Sequence, residues 1–189
     1  MDSRTLLTLL DESPIVAAVK DPQGLDACIT SECRIVFVLF GSILNIGEIV
    51  HRIKTSGRIA LVHLDLIEGL SPKEIAVDFI AEKTEADGII STKQALIRYG
   101  RARGLLTVQR FFLLDSMALS TIDRQISQSS PDLIEVLPGC LPKIIRKIRA
   151  TCHTPLIAGG LIQDKDDILA ALSAGASGIS ATRSEIWRM

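Results

Sequence analysis

Eight apolar runs recur along the chain, and segments with a helical pattern separate them. The runs are short and nearly continuous, as in IVFVLF and RIALVHL, which is typical of parallel strands buried on both faces. They cover residues 15–20, 35–41, 58–66, 86–92, 106–114, 131–139, 154–162 and 176–182. Each run predicts one strand of a parallel sheet.

The starts of successive runs lie 20 to 28 residues apart, which is the length of one short strand, one helix and two tight loops. Helix boundaries support this division, because Ser71 to Glu74 reads as a capping box and Asp164 as an N-cap. Eight such units predict an α/β protein, a compact (βα)8 TIM-type barrel that forms a single domain over residues 1–189. An open doubly wound sheet is the alternative, although few residues remain to cover both of its faces.

The chain is short for such a barrel, because ~200 residues or more are usual. Its 189 residues therefore predict minimal loops and short or missing terminal helices. Only a stub of helix fits after the last strand, with its N-terminus aimed at the end of that strand. Residues 3–10 are expected to form a short lid on the N-terminal face.

Composition argues against several classes of protein. The net charge is -1 and aromatic residues make up 4%, so neither a general attraction to phosphate backbones nor a base-stacking platform is indicated. The four cysteines form no CxxC motif and the three histidines are scattered, which predicts neither a metal site nor a disulfide framework. No run approaches the ~20 apolar residues of a membrane span. We expect a reduced, cytoplasmic protein without a metal or a cofactor.

Small polar residues gather where the last two predicted strands end, and barrels of this type carry function at that end. Gly159 and Gly160 close the seventh run, and bare backbone N–H groups there often bind phosphate. Ser180 and Thr182 close the eighth run and can add hydroxyl donors. The pattern favours a phosphate site over the alternative, a tight turn that merely needs glycine.

Charged side chains are expected at the same rim, namely Lys20, Asp65, Lys93, Arg110 and Glu135. The cations could bind an anion, and the carboxylates could accept hydrogen bonds from ligand hydroxyls or shuttle protons. Every second residue of a strand points to the same face, so each carboxylate shares a face with apolar residues that could line the barrel interior. Buried ion pairs, Glu135 with Arg110 or Asp65 with Lys93, explain the same residues equally well. His63 is interpreted as a hydrogen-bonded core residue.

Cations also cluster in the segments after the fourth and sixth runs. They include Arg98, Arg101, Lys143, Arg146 and Lys147, and spacings of three and four place several of them on one helical face. Such stripes usually are solvated outer faces. An RNA backbone could still bind them, and the affinity would then depend on salt.

Five segments in order between residues 63 and 160 carry a family resemblance: HLDLIEGL, DGIISTK, QRFFLLDS, IEVLPG and IAGGLI. They are similar to successive motifs of the glycerol-3-phosphate-responsive antiterminators, which regulate bacterial glycerol uptake and utilisation operons. The resemblance implies a phosphate-binding barrel that acts as a regulator. With glycerol 3-phosphate bound as effector, it would engage leader mRNA and let polymerase pass a terminator. Carried over by motif, the site residues are Asp65, Glu68, Lys93, Arg110, Glu135, Gly159 and Gly160.

Three functions remain open from the residues themselves. The resemblance places a ligand-gated, RNA-binding antiterminator first, as a regulator rather than an enzyme. An isomerase, aldolase or phosphodiesterase of a small phosphorylated metabolite is the alternative, with Asp65 and Glu135 as acid and base. The third is a metabolite-binding partner of another protein. Homo-oligomers are compatible with each of them.

Overall fold

The computed structural model describes residues 3–189, in which eight parallel strands form a closed barrel. Residues 1 and 2 of the predicted domain lie outside this range. The strands are β1 (Ile15–Val19), β2 (Ile35–Val38), β3 (Ile59–His63), β4 (Gly88–Ser91), β5 (Leu106–Phe112), β6 (Leu133–Leu137), β7 (Leu156–Gly159) and β8 (Gly178–Ala181). Each predicted run contains one strand, and β8 closes the barrel by pairing with β1. The predicted (βα)8 barrel is therefore confirmed, and the doubly wound alternative is wrong.

Helices alternate with the strands. They are α1 (Ser3–Glu12), α2 (Pro22–Ile29), α3 (Ile46–Thr55), α4 (Glu74–Lys83), α5 (Gln94–Ala102), α6 (Ser116–Ser129), α7 (Pro142–Arg149) and α8 (Lys165–Ser173). One hydrophobic cluster fills the barrel interior, and a second lies between the strands and the surrounding helices. Because both faces of the strands are buried, their sequences read as continuous apolar runs. No helix within residues 3–189 is long and apolar enough to cross a membrane.

The N-terminal helix closes one end of the barrel. Leu6 and Leu10 of α1 are each 1% exposed and pack in the interior cluster with Ile35 and Ile59, which begin their strands. The two leucines are four residues apart and therefore lie on one face of the helix. The expected lid over residues 3–10 is confirmed.

The last strand is not followed by an α-helix. A 3-10 helix at Ile186–Arg188 takes its place. The indole Nε1 of Trp187 donates to the carbonyl of Ala181 at 2.8 Å, and the buried ring covers part of the barrel that a helix would otherwise shield. The short terminal element is as predicted. The expected helix N-terminus beside Ser180 is wrong, because only this single short turn forms.

Two helix starts were predicted from capping residues, and one of them is confirmed. Asp164 caps α8 by accepting the N–H of Asp167 at 3.0 Å, as expected. The capping box is wrong, because α4 begins at Glu74 with Lys73 at the N-cap and no side-chain cap. The three residues after Leu70 instead belong to the loop at the C-terminal end of β3.

Candidate functional site

Arg110 and Glu135 form a buried ion pair at the C-terminal end of the barrel. The two residues are direct neighbours in the register of β5 and β6. Nε of Arg110 donates to Oε2 of Glu135 at 2.5 Å, and the side chains are 7% and 1% exposed. Oε1 of Glu135 accepts a second hydrogen bond, from the hydroxyl of Ser180 at 2.5 Å. Charges this deeply buried require such partners, so the ion pair that the sequence left open is present.

The guanidinium of Arg110 has further hydrogen-bond donors besides the Nε that binds Glu135. Its Nη1 and Nη2 groups make no hydrogen bond to any residue between 3 and 189. The side chain lines a cavity of about 110 Å³ at the mouth of the barrel. A water molecule occupies about 30 Å³ in the liquid, so this cavity has room for a group of a few heavy atoms, such as a phosphate.

Polar groups from β7 and β8 form the other side of this cavity. Gly160, Ser180 and Thr182 line it together with Arg110 and Glu135, and the apolar wall consists of Ala18, Leu39, Leu137, Leu161, Ile162 and Ala181. Hydroxyl, guanidinium and backbone donors thus meet in one small space. That combination suits an anion with hydrogen-bond acceptors on several sides.

Two glycines shape the end of β7. A Cβ on Gly159 would lie 2.6 Å from Oε1 of Glu135 and would also meet the hydroxyl of Ser180, so only glycine leaves space for that hydrogen bond. Gly160 has φ +73°, and Leu161 follows with φ +58°, a conformation that is rare outside glycine. The N–H groups of Gly160 and Leu161 donate no hydrogen bond within the described chain. They remain available to a ligand.

Asp65 and Lys93 form a second, separate cluster. Asp65 lies in a 3-10 turn at Leu64–Leu66, where it accepts hydrogen bonds from the N–H and hydroxyl of Thr92, both at 2.8 Å, and from the hydroxyl of Ser91 at 3.0 Å. Burial raises the pKa of Asp65, but the bonds from Thr92 and Ser91 outweigh it and leave that pKa below its ordinary value. Nζ of Lys93 lies 3.6 Å from Oδ1 of Asp65.

This second cluster lines its own cavity of about 130 Å³, with Leu70, Ser71 and Pro72. The five charged side chains expected at one rim therefore divide into two clusters, plus Lys20. Lys20 is exposed one residue beyond β1 and forms no ion pair with any residue that the structure describes. Of the predicted ligand-binding residues, the structure brings together Arg110, Glu135, Gly159, Gly160, Ser180 and Thr182.

The predicted RNA-binding cations fall on two helices that α6 separates. On α5, Arg98 is exposed, and Nη1 of Arg101 donates to the carbonyl of Ser130. On α7, the exposed cations Lys143, Arg146 and Lys147 have no ion-pair partner among residues 3–189. The α7 surface is therefore the freer of the two for a polyanion.

His63 was predicted to be a core residue and was not among the predicted ligand-binding residues. The side chain is buried at the end of β3, but its Nδ1 has no hydrogen-bond partner in the part of the chain that is described. The expectation of a core residue is confirmed, whereas Nδ1 lacks the hydrogen bond that was expected of it. The sequence did carry a signal for the position of His63. It is a polar residue at a strand end, and alternation along the strand places it on the same face as Leu61. No group of three or more potential metal ligands occurs within residues 3–189.

The chain matches the profile of a family described as "Glycerol-3-phosphate responsive antiterminator" over residues 15–187. The protein belongs to this family. The family resemblance in its five motifs is thereby confirmed. A relative by sequence is the "Uncharacterized protein YgcP" of Escherichia coli (strain K12), which is 45% identical over 184 residues, or 97% of this chain and 96% of the relative.

Two solved structures are similar to this antiterminator-family barrel. The glycerol uptake operon antiterminator regulatory protein from Listeria monocytogenes str. 4b F2365 has a TM-score of 0.89 at 28% identity, over 93% of this chain and 95% of that one. A glycerol uptake operon antiterminator-related protein from Thermotoga maritima MSB8 has a TM-score of 0.82 at 32% identity, over 93% and 98%.

The carboxylates of this family member are committed to internal bonds. Glu135 uses one oxygen for Arg110 and the other for Ser180. Asp65 uses both oxygens for Ser91 and Thr92. The two carboxylates that the enzyme alternative uses as acid and base therefore lie in separate clusters, and each holds neighbouring side chains in place.

Proposed function

We propose that this protein is a glycerol 3-phosphate-responsive antiterminator, which binds the leader mRNA of glycerol-utilisation operons and prevents premature termination. The observation that carries the proposal is the buried Arg110, whose Nη groups are unpaired in a cavity edged by the backbone of β7 and the hydroxyls of β8. It occurs in a member of a family described by its response to glycerol 3-phosphate.

In this proposal the phosphate occupies the mouth cavity. Arg110 donates from Nη1 and Nη2, and the N–H groups of Gly160 and Leu161 with the hydroxyl of Thr182 donate from the opposite side. Glu135 contributes indirectly, because it holds both Arg110 and the Ser180 hydroxyl in place. Donors fixed in advance lose little entropy on binding, which favours a small ligand.

RNA binding is proposed for the α7 surface. Lys143, Arg146 and Lys147 are exposed and unpaired, so neutralising RNA phosphates breaks no existing ion pair there. The helix begins at Pro142, and a loop of four residues separates it from the end of β6, which carries Glu135 and Leu137. The ligand would favour one arrangement of these mouth loops, and RNA would bind that arrangement more tightly. We place this activity in the cytoplasm, where leader transcripts are made.

The ligand part of the proposal is tested by calorimetry with glycerol 3-phosphate, glycerol and inorganic phosphate. Wild type should bind glycerol 3-phosphate most tightly. Arg110→Lys keeps a cation beside Glu135 but removes the Nη donors, so glycerol 3-phosphate affinity should fall about ten-fold or more. Thr182→Val removes one exposed hydroxyl from the cavity rim and should reduce the affinity about three- to ten-fold.

Thr8→Val makes the same change on α1, at the opposite end of the barrel, and should leave the affinity unchanged. Wild-type affinities for glycerol or inorganic phosphate that equal the affinity for glycerol 3-phosphate would reject the proposed effector. Unchanged affinity in both Arg110→Lys and Thr182→Val would place the ligand outside this cavity.

A further inference from the structure

His63 is an unexplained polar residue in the mouth of the barrel. It is 2% exposed, and its Nδ1 is one of two buried side-chain nitrogen or oxygen atoms without a partner in residues 3–189. The other atom, Nε2 of Gln109, belongs to a side chain that faces α6, where Gln109 bonds the hydroxyl of Ser129. Leaving a buried polar atom unpaired costs about 1–3 kcal/mol. Such an atom in the barrel interior indicates a missing partner.

The position of His63 relates it to the mouth cavity. In the register of β2 and β3, Val38 is opposite Val62, so the next residues, Leu39 and His63, are neighbours on adjacent strands. Leu39 lines the cavity. The positive charge of Arg110, which also lines the cavity, disfavours protonation of the imidazole. His63 is therefore the direct strand neighbour of one residue of the cavity wall, Leu39.

The chemistry of His63 differs from that of the phosphate-binding groups. Burial and, to a smaller extent, the positive charge of Arg110 lower the pKa of His63 to about 3, so the ring is neutral near pH 7. The charge of Lys93 acts in the same direction, and that of Asp65 opposes it. A neutral imidazole offers one donor and one acceptor, which matches a hydroxyl group. It adds no positive charge for a phosphate. Arg110, Gly160 and Thr182 already provide donors at the β5, β7 and β8 side of the cavity.

We propose that His63 is the specificity-determining residue of this site, which hydrogen-bonds a hydroxyl of the bound polyol phosphate while Arg110 and the β7 and β8 groups hold the phosphate. This inference rests on the proposed function, because it takes the phosphate end of the ligand to lie against Arg110 and Gly160. The ligand hydroxyl supplies the partner that the ring lacks. A site built to bond a hydroxyl discriminates strongly against an analogue without it.

Calorimetry on the full chain tests this with three compounds: glycerol 3-phosphate, 1-propyl phosphate, which has the same carbon chain without hydroxyls, and inorganic phosphate. The variants are His63→Leu, which removes both nitrogens, and His63→Gln, which restores a donor and an acceptor. Wild type should prefer glycerol 3-phosphate over propyl phosphate by roughly ten-fold. His63→Leu should abolish this preference while propyl phosphate and inorganic phosphate bind within about two-fold of wild type. His63→Gln should recover part of it.

Thermal unfolding of each variant in the absence of ligand verifies that it is folded. Equal weakening of all three compounds in His63→Leu would overturn the inference, because His63 would then act only through the position of Arg110. A preference that survives in His63→Leu would also overturn it, since the hydroxyls would be bound by another group. A wild type that binds no phosphate compound would instead reject the proposed function, and the inference with it.

Discussion

A single carboxylate, that of Glu135, joins Arg110 on the neighbouring strand to Ser180 two strands further around the barrel. Both hydrogen bonds are 2.5 Å long, and all three side chains are buried. The two oxygens of Glu135 therefore fix a guanidinium and a hydroxyl on opposite sides of one cavity. A binding group whose position is set by a second buried residue is more effective than one held only by its own rotamer.

Removing the charge of Glu135 should affect both folding and binding. Glu135→Gln keeps the shape but leaves Arg110 without its counter-charge, and loss of one partner of a buried pair costs about 3–5 kcal/mol. We expect a lower free energy of unfolding in urea and weaker binding of glycerol 3-phosphate.

The double variant Arg110→Met with Glu135→Met separates these two effects. It removes both buried charges, so it should recover much of the stability. It should not recover ligand binding, because the Nη donors are gone. Wild-type affinity in the double variant would show that the pair only supports the fold.

A methyl group at Gly159 should be poorly tolerated. Gly159→Ala places a carbon 2.6 Å from Oε1 of Glu135, which must move and weaken its bond to Ser180. Overpacking of this kind costs about 1–3 kcal/mol. Gly47→Ala is the matched control, because Gly47 lies in the first turn of α3 with the nearest contact, the carbonyl of Lys83, at 3.4 Å.

Urea unfolding of both glycine variants checks this contrast. Gly47→Ala should be neutral or up to about 1 kcal/mol more stable than wild type, because alanine restricts the unfolded chain. Equal stability of Gly159→Ala and Gly47→Ala would mean that the end of β7 can shift to admit a side chain.

The stability of the protein should depend on pH through His63. Its pKa is lowered to about 3 in the folded state by burial and by Arg110, against about 6.5 in an unfolded chain. Between these values the unfolded state binds the extra proton, so the free energy of unfolding falls as pH drops from about 6.5 toward 3, by up to roughly 1.4 kcal/mol per pH unit.

His63→Gln cannot take up that proton and should flatten the pH dependence in this range. Urea unfolding of wild type and variant between pH 4.5 and 7.5 measures the difference. This pH range lies above the ordinary pKa of Asp, about 3.9. The stabilisation from the lowered pKa of Asp65 is lost only below that value, so Asp65 contributes little to the measured slope. Identical slopes in the two proteins would mean that His63 is protonated in the folded state.

RNA affinity should depend on the α7 cations. A triple variant, Lys143→Gln, Arg146→Gln and Lys147→Gln, should bind a leader transcript containing the terminator more weakly. If all three contact phosphates, the slope of log affinity against log salt should decrease by about two. Ligand affinity should remain that of wild type, since these side chains are outside the mouth cavity.

A control with the same change of charge is available at other exposed positions. Arg34, Lys83 and Arg188 have no ion-pair partner in the described part of the chain. Their triple replacement by Gln should leave both the RNA affinity and its salt dependence close to wild type. Equal losses in the two triple variants would show that only net charge matters, and no loss in either would place the RNA elsewhere.

The barrel could be predicted because strands buried on both faces have a continuous apolar sequence that no surface element shares. The same alternation correctly placed Glu135 in the interior beside Leu133. It failed for Asp65, because the chain leaves the strand at Leu64 and turns, so alternation no longer sets the direction of the side chain. Counting along a strand is reliable only while the strand continues.

The contacts of individual polar residues were harder to predict. Arg110 and Glu135 could be named as a pair because each lies two residues before the end of one of two neighbouring strands. The unpaired Nδ1 of His63 could not, because its surroundings depend on residues of other strands that are distant in sequence. The capping box predicted at Ser71 was wrong for a similar reason. Its local sequence pattern competes with the path that the chain takes out of β3.

The apolar cluster that Leu6 and Leu10 of α1 complete leaves no passage through the barrel within residues 3–189. With Leu6 and Leu10 filling the far end, a molecule in the mouth cavity must leave by the route through which it entered. Any partner seated over that rim closes the route, so the two must depart in reverse order of arrival. Such a complex would persist for as long as the outer partner stays bound, even when the free concentration of the small ligand has already fallen.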